Sequence, residues 1–275
     1  MRITIAAIAT LALFSACGDE PASSLPTTPG SGTRSAAART SLAVDATWTW
    51  QLLGSPPPPY TDDVYDVDLF DTSDETIDAI HDAGRLVICY LSAGSSEDWR
   101  PDDDLFASDD RGGDLDGWPG ERWLDVRSPT VRAVMTARLD LAASRGCDGV
   151  EPDNVDGYAN DSGFDLTADD QLDFNRFLAG AAHERDLLVG LKNDLDQVLE
   201  LVDHFDFAVS EQCHEYDECE LLVPFVAAGK PVFDAEYDDA YVDDPDPVCA
   251  AASALGLRTQ ILPLDLDGSF RITCP

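Results

Sequence analysis

Eight short apolar runs, most of them separated by a stretch of helical periodicity, limit what this chain can fold into. They fall at 48–53, 64–70, 86–91, 149–153, 187–191, 207–211, 232–236 and 260–264. Most are continuous and rich in β-branched or aromatic residues, the pattern of strands buried on both faces. Helix signals lie between them. Thr72-Ser73-Asp74-Glu75 offers a capping box ahead of Ile77 and Ile80, with Gly84 as the stop. Ser128-Pro129 opens a second helix with Val131, Val134, Met135 and Leu139 on one face and Gly146 behind it. Thr167 caps a third, Pro224 restarts the helical stretch 217–228, and 247–255 makes the last. This alternation predicts an α/β chain forming one (β/α)8 TIM barrel. No glycine-rich phosphate loop follows a strand, which argues against a nucleotide-binding doubly wound sheet. The proline run Ser55-Pro56-Pro57-Pro58-Pro59-Tyr60 stands where the first crossover helix would be. The insert 92–122, with Trp99 and Trp118, follows the third strand and would overlie the functional face.

The N-terminus reads as an export signal. Arg2 precedes an apolar run over 3–13 that is too short to span a bilayer. It ends in Leu13-Phe14-Ser15-Ala16-Cys17, which resembles a bacterial lipoprotein processing site. The expectation is a leader over 1–17, a lipidated Cys17, a Pro/Ser/Thr/Ala tether over 18–44 and a catalytic domain over 45–275; ordinary secretion is the alternative. Contact with a membrane is expected through that lipid alone. In an oxidising compartment the remaining six cysteines should pair. Cys213 with Cys219 is the best local pair; Cys249 with Cys274 and Cys89 with Cys147 follow, although spacing leaves the connectivity open.

The chain carries 54 acidic and 17 basic side chains, a formal charge of −37, so phosphate-backbone partners are repelled. The acidity fits plain solubility outside the cell, and it also fits a cationic substrate. Three of the apolar runs close on an acid: Asp153, Glu211 and Glu236. Strand ends of a barrel converge on one face. Two carboxylates facing across such a cleft are the minimum for cleaving a glycosidic bond; the bland reading is that these acids cap loops or bind surface bases. Lys192, in Lys192-Asn193-Asp194, either pairs with Asp153 or Glu211, or binds a sugar hydroxyl, or simply begins a helix. Trp48 and Trp50 share a strand face, where they pack the barrel or stack on sugar, and Tyr90, Tyr158 and Tyr237 near strand ends are lining candidates. His81 and His183 fall in helices, His204 ahead of a strand and His214 inside the Cys213–Cys219 loop; no pair has metal-ligand spacing, and neither a metal nor another cofactor is expected.

Taken in order, several segments resemble one family. They are Trp50-Gln51-Leu52, Cys89-Tyr90-Leu91-Ser92-Ala93-Gly94, Trp123-Leu124-Asp125-Val126-Arg127, Cys147-Asp148-Gly149-Val150-Glu151-Pro152-Asp153-Asn154, Gly190-Leu191-Lys192-Asn193, Glu211-Gln212-Cys213, Ala228-Gly229-Lys230-Pro231-Val232-Phe233 and Glu236-Tyr237. The chain resembles glycoside hydrolase family 114, the endo-α-1,4-polygalactosaminidase type, from about Trp48 to Leu264. The resemblance implies an endo-acting barrel hydrolase of α-1,4-linked galactosamine polymer that needs no cofactor. It implies Asp153 as nucleophile and Glu211 as general acid/base of a retaining reaction. Tyr90, Asp125, Asn154, Lys192, Glu236, Tyr237 and Trp50 would then support the pair or bind sugar. A carbohydrate-binding barrel without turnover, or a hydrolase of another glycan, are the rival expectations.

Overall fold

A computed structural model describes residues 41–275. The leader, Cys17 and the tether as far as residue 40 lie outside the described residues. Strand β1 (Trp48–Gln51) leads through the proline loop to β2 (Val64–Asp68), α1 (Asp74–Asp82) and β3 (Leu86–Ser92). An excursion follows, made of β4 (Ser95–Glu97), β5 (Arg111–Asp114) and β6 (Glu121–Leu124), which form a small antiparallel sheet of order β4-β6-β5. The alternation then resumes with α2 (Pro129–Arg145), β7 (Gly149–Asp153), α3 (Ala168–His183), β8 (Leu188–Lys192), α4 (Val198–Leu201) and β9 (Phe207–Glu211). It ends with α5 (Val223–Ala227), β10 (Val232–Glu236), α6 (Asp239–Asp243), α7 (Asp246–Leu255), β11 (Arg258–Ile261) and the two-residue β12 (Ile272–Thr273).

The main sheet runs β1-β2-β3-β7-β8-β9-β10-β11-β12, with every pair parallel except β11 with β12. Eight parallel strands therefore curl into the (β/α)8 barrel. Side chains stitch the seam between its first and last strands. Trp48 Nε1 donates to the Arg258 carbonyl at 2.8 Å, Gln260 Nε2 donates to the Trp48 carbonyl at 2.5 Å, and the Trp48 ring stacks 4.9 Å from Phe233.

Strand periodicity divides the residues into two layers. Val64, Ile88, Leu188, Phe207, Val209, Phe233 and Ala235 pack with Trp48 and Trp50 in one apolar cluster inside the barrel. Their neighbours Val67, Cys89, Val150, Val189, Leu191 and Ala208 pack outward against the helices. Leu42 is already buried in the inner cluster. Along the inner face the strands change from apolar to charged, so the barrel is packed at its base and polar at its C-terminal mouth.

Local signals act close to where the sequence places them. Ser73 caps α1 by accepting from the Thr76 amide, one residue later than a box on Thr72 would begin. Ser128 and Pro129 open α2, Gly146 closes it at φ 85°, and Thr167 with Asp170 forms a full capping box on α3. The last barrel strand begins at Arg258, two residues before the expected 260, and ends ahead of Leu262-Pro263 because proline has no amide for the ladder. Among the described residues no helix is long and apolar enough to cross a membrane.

Among the described residues three disulfides form: Cys89–Cys147, Cys213–Cys219 and Cys249–Cys274. The first ties β3 to the entry of β7 across 58 residues. Chain entropy then predicts that replacing both cysteines by alanine destabilises the fold by about 4 kcal/mol and lowers Tm by roughly 10 °C, measured by calorimetry.

Candidate active site

A groove of about 710 Å³ opens at the C-terminal mouth of the barrel. Its floor is Lys192, at the end of β8, whose side chain is 2 % exposed. Three carboxylates converge on its ammonium: Glu151 Oε1 at 3.0 Å, Asp153 Oδ1 at 3.3 Å and Glu211 Oε2 at 3.3 Å. The Trp50 ring centroid lies 4.6 Å away, so the charge is also held over an aromatic face. Burial works against the Lys192 charge, but the surrounding Asp153, Glu151 and Glu211 outweigh it and hold its pKa well above the ordinary lysine value.

Asp153 and Glu211 each sit on the last inward-facing position of a strand, and each is fixed by its own tyrosine. Tyr90 Oη donates to Asp153 Oδ2 at 3.0 Å, and Tyr237 Oη donates to Glu211 Oε1 at 2.5 Å. Burial, reinforced by the adjacent carboxylate, pushes both phenols well above the usual tyrosine value, so they stay protonated donors. The Asn154 amide donates to Asp153 Oδ1 at 2.7 Å, and Asn193 Oδ1 accepts from the Glu211 amide at 2.9 Å. Asn154, Asn193 and Gln212 directly follow Asp153, Lys192 and Glu211, and all three take left-handed backbone, at φ 60°, 46° and 59°. A left-handed residue turns each strand sharply out of the sheet at the point where its functional side chain meets the groove. Asparagine tolerates this conformation better than most residues; glutamine stores more strain there.

The insert completes the site. Gly94 lets the chain cross the end of β7 in close contact; a Cβ there would sit 1.6 Å from the Asn154 carbonyl oxygen. Trp99 and Trp118 line the groove and are half-exposed. Nine carboxylic side chains line the walls, with Arg100 and Lys192 as the cationic residues among them. Arg100 is committed to ion pairs with Asp68, Asp71 and Glu97.

Two proposed residues lie elsewhere. Asp125 follows β6 at the edge of the insert, where Arg127 binds both its oxygens at 2.8 and 3.0 Å, and it does not line the groove. Glu236 is out of phase: Phe233, Ala235 and Tyr237 point into the barrel, so Glu236 points outward, is buried, and accepts from the His214 amide at 2.7 Å. Trp50, Tyr90, Asn154, Lys192 and Tyr237 do line the groove; Tyr158 lines a smaller cavity beside Asp194.

Other buried acids beneath the groove escape a search for acids at strand ends. Asp66 and Glu151 lie one inward position before Asp68 and Asp153, and both are fully buried. Burial drives both pKa values up, each reinforced by a nearby carboxylate, so a proton is retained beneath Lys192. The signal was the two-residue spacing Asp66-Val67-Asp68 and Glu151-Pro152-Asp153, which repeats an acid on one strand face.

Burial also raises Glu121 to about 7, Asp156 to about 6 and Asp194 to about 8. In the unfolded chain these groups titrate near 4. Between about pH 4 and 8 the folded protein therefore binds more protons than the unfolded one, and stability falls as pH rises. Their contribution is complete below pH 4 and is lost through 6 to 8. Thermal unfolding should accordingly give a higher Tm at pH 5 than at pH 8.

A carboxylate pair at the mouth of such a barrel, bridged by a buried cation and flanked by aromatic rings, fits the class of glycoside hydrolases. The chain belongs to glycoside hydrolase family 114, whose profile matches residues 30–275. It is a hydrolase of the endo-α-1,4-polygalactosaminidase type. It is similar to the crystal structure of Aspergillus fumigatus Ega3 in complex with galactosamine, at 41% identity and TM-score 0.82, over 88% of this chain and 100% of that one. The glycoside hydrolase domain of PelA from Pseudomonas aeruginosa shares the fold at 14% identity and TM-score 0.65, over 82% of this chain and 98% of that one. No curated protein matches the chain.

Proposed function

We propose that the protein cleaves internal α-1,4 linkages of galactosamine polymer with retention, with Asp153 as nucleophile and Glu211 as acid/base. One observation carries the reading: Asp153 Oδ1 and Glu211 Oε2 each lie 3.3 Å from the same Lys192 nitrogen. Those oxygens can be separated by no more than twice that distance. That closeness is compatible with the separation of retaining enzymes, about 5–5.5 Å between carboxyl groups, against about 6.5–9.5 Å in inverting ones.

In the first step Asp153 attacks the anomeric carbon as Glu211 gives its proton to the departing glycosidic oxygen, leaving a β-linked glycosyl ester. In the second, Glu211 takes a proton from water, whose oxygen displaces Asp153 and restores the α configuration. Glu211 has the more exposed side chain, 27 % against 17 %, as suits the group that meets both leaving group and water. Tyr90 and the Asn154 amide donate to Asp153, Lys192 pairs with it, and together they orient it. The half-exposed Trp99 and Trp118 at the rim offer faces for sugar rings. The test is chain length: wild-type protein should shorten purified α-1,4-galactosamine polymer to oligosaccharides early, with little free monosaccharide. Binding of the polymer without cleavage would support a non-catalytic barrel, and cleavage of another glycan alone would move the substrate.

The charged walls of the groove suit the ammonium groups of deacetylated galactosamine. KM for that polymer should rise as salt screens the attraction, while KM for its N-acetylated form should stay nearly flat. Initial rates measured at low and at high NaCl check this.

The three disulfides suit an oxidising compartment, which supports the reading of the N-terminus as an export signal; the sequence Ser15-Ala16-Cys17 supports reading Cys17 as a lipid anchor. Cys17→Ser should move the protein from the membrane fraction to the soluble one.

A further inference from the structure

The outward face of β10 carries a cluster that the hydrolytic site does not use. Asp234 and Glu236 lie two apart on it, both fully buried, and His214 approaches from the loop that follows β9. The Cys213–Cys219 disulfide closes that loop. The His214 ring and a carboxylate oxygen from each acid lie within 4.8 Å of one another. Some of the cluster's valences are satisfied: Thr259 Oγ1 donates to Asp234 Oδ2 at 2.8 Å, and the His214 amide donates to Glu236 Oε1. Asp234 Oδ1, Glu236 Oε2 and His214 Nε2 are buried without a partner. So is Ser210 Oγ, on the residue paired with Asp234 in the β9–β10 register. Among the described residues no lysine or arginine forms an ion pair with either acid.

A buried carboxylate oxygen left without cation or donor is costly, so such oxygens are normally hydrogen-bonded, paired or bound to metal. His214 Nε2 stands 3.8 Å from Asp234 Oδ2, too far for a hydrogen bond. Two ligands bound to one ion at about 2.0–2.2 Å fit that separation. We infer that His214, Asp234 and Glu236 form a structural site for a divalent cation of the zinc class. One imidazole nitrogen and two carboxylate oxygens supply three ligands, and Ser210 Oγ or a water the fourth. The adjacent sulfurs are held in the disulfide and do not ligate. The ion would pin the 212–219 loop to β10 and so steady the backbone just beyond Glu211. Sequence spacing conceals the site, because its ligands come from a loop and a strand some twenty residues apart and share no metal-binding spacing.

The test uses the full chain, stripped with EDTA and gel-filtered after incubation with Zn2+. Wild type should retain one equivalent by elemental mass spectrometry, and its Tm should rise by roughly 5–10 °C at a hundredfold excess over Kd. His214→Ala and the more conservative His214→Gln should lose both effects, and Co2+ should give visible ligand-field bands in wild type alone. No retained zinc in wild type would overturn the site. So would uptake that both variants leave unchanged, since that would be loose binding to surface carboxylates.

Discussion

Glu211→Gln is expected to lower the rate of reducing-end release from α-1,4-galactosamine polymer by at least about a thousandfold, and Asp153→Asn by more. General acid–base catalysis alone contributes about 10²–10⁴, and an amide in place of the Glu211 carboxyl can neither give up nor accept the proton. An amide in place of the Asp153 carboxylate leaves the anomeric carbon without an attacking oxyanion. Both changes are isosteric. The substituted amide at position 211 still offers its oxygen to Tyr237, which donates to Glu211 Oε1 at 2.5 Å, while its NH2 takes the place of Oε2. KM should therefore change little while kcat falls, and Tm should stay close to wild type. If either variant keeps more than a tenth of wild-type activity, that residue does not have the role assigned to it.

Lys192→Met is expected to cost stability and activity together. Its ammonium is the positive charge on which Glu151, Asp153 and Glu211 converge. Removing one partner of a buried ion cluster leaves uncompensated charge, at about 3–5 kcal/mol. Tm should drop by roughly 10–15 °C. The remaining carboxylates would have to take up protons or move apart, so turnover should fall in parallel. Lys192→Arg should not restore it, because a planar guanidinium fork does not replace a point charge held over Trp50 at 4.6 Å. Adding Glu151→Gln to Lys192→Met should recover part of the lost stability. A double-mutant cycle reads that coupling directly, and strict additivity would mean that the two side chains do not interact.

The alternation of strands and helices was legible because barrel strands are buried on both faces and read as unbroken apolar runs. The pairing of Asp153 with Glu211 was legible for a related reason: both acids end a strand whose preceding inward positions are glycine or apolar, apart from Glu151. Glu236 shows where reading strand ends alone fails. It also ends a strand, but Phe233, Ala235 and Tyr237 occupy the inner phase, and a one-residue offset sends its carboxylate to the opposite layer. Asp66 and Glu151 were hidden inside apolar runs, where a single acid looks like an interruption, although both repeat the phase of the acid two residues later. Asp125 could be placed only with the fold of the insert in hand, since Arg127, two residues away, claims its carboxylate. The last strand was misplaced by two residues because Arg258 is charged and the seam it closes is held by Trp48 and Gln260 side chains, which leave no apolar signature.

The most direct measurement of the two-carboxylate mechanism is azide rescue, using an aryl α-galactosaminyl oligosaccharide as substrate and NMR to read the product's anomeric configuration. With the nucleophile removed, azide can enter only from the face Asp153 occupied. With the acid/base removed, it displaces Asp153 from the glycosyl ester. The two-carboxylate mechanism predicts a β-glycosyl azide from Asp153→Ala and an α-glycosyl azide from Glu211→Ala. A β-azide from Glu211→Ala with none from Asp153→Ala would contradict it.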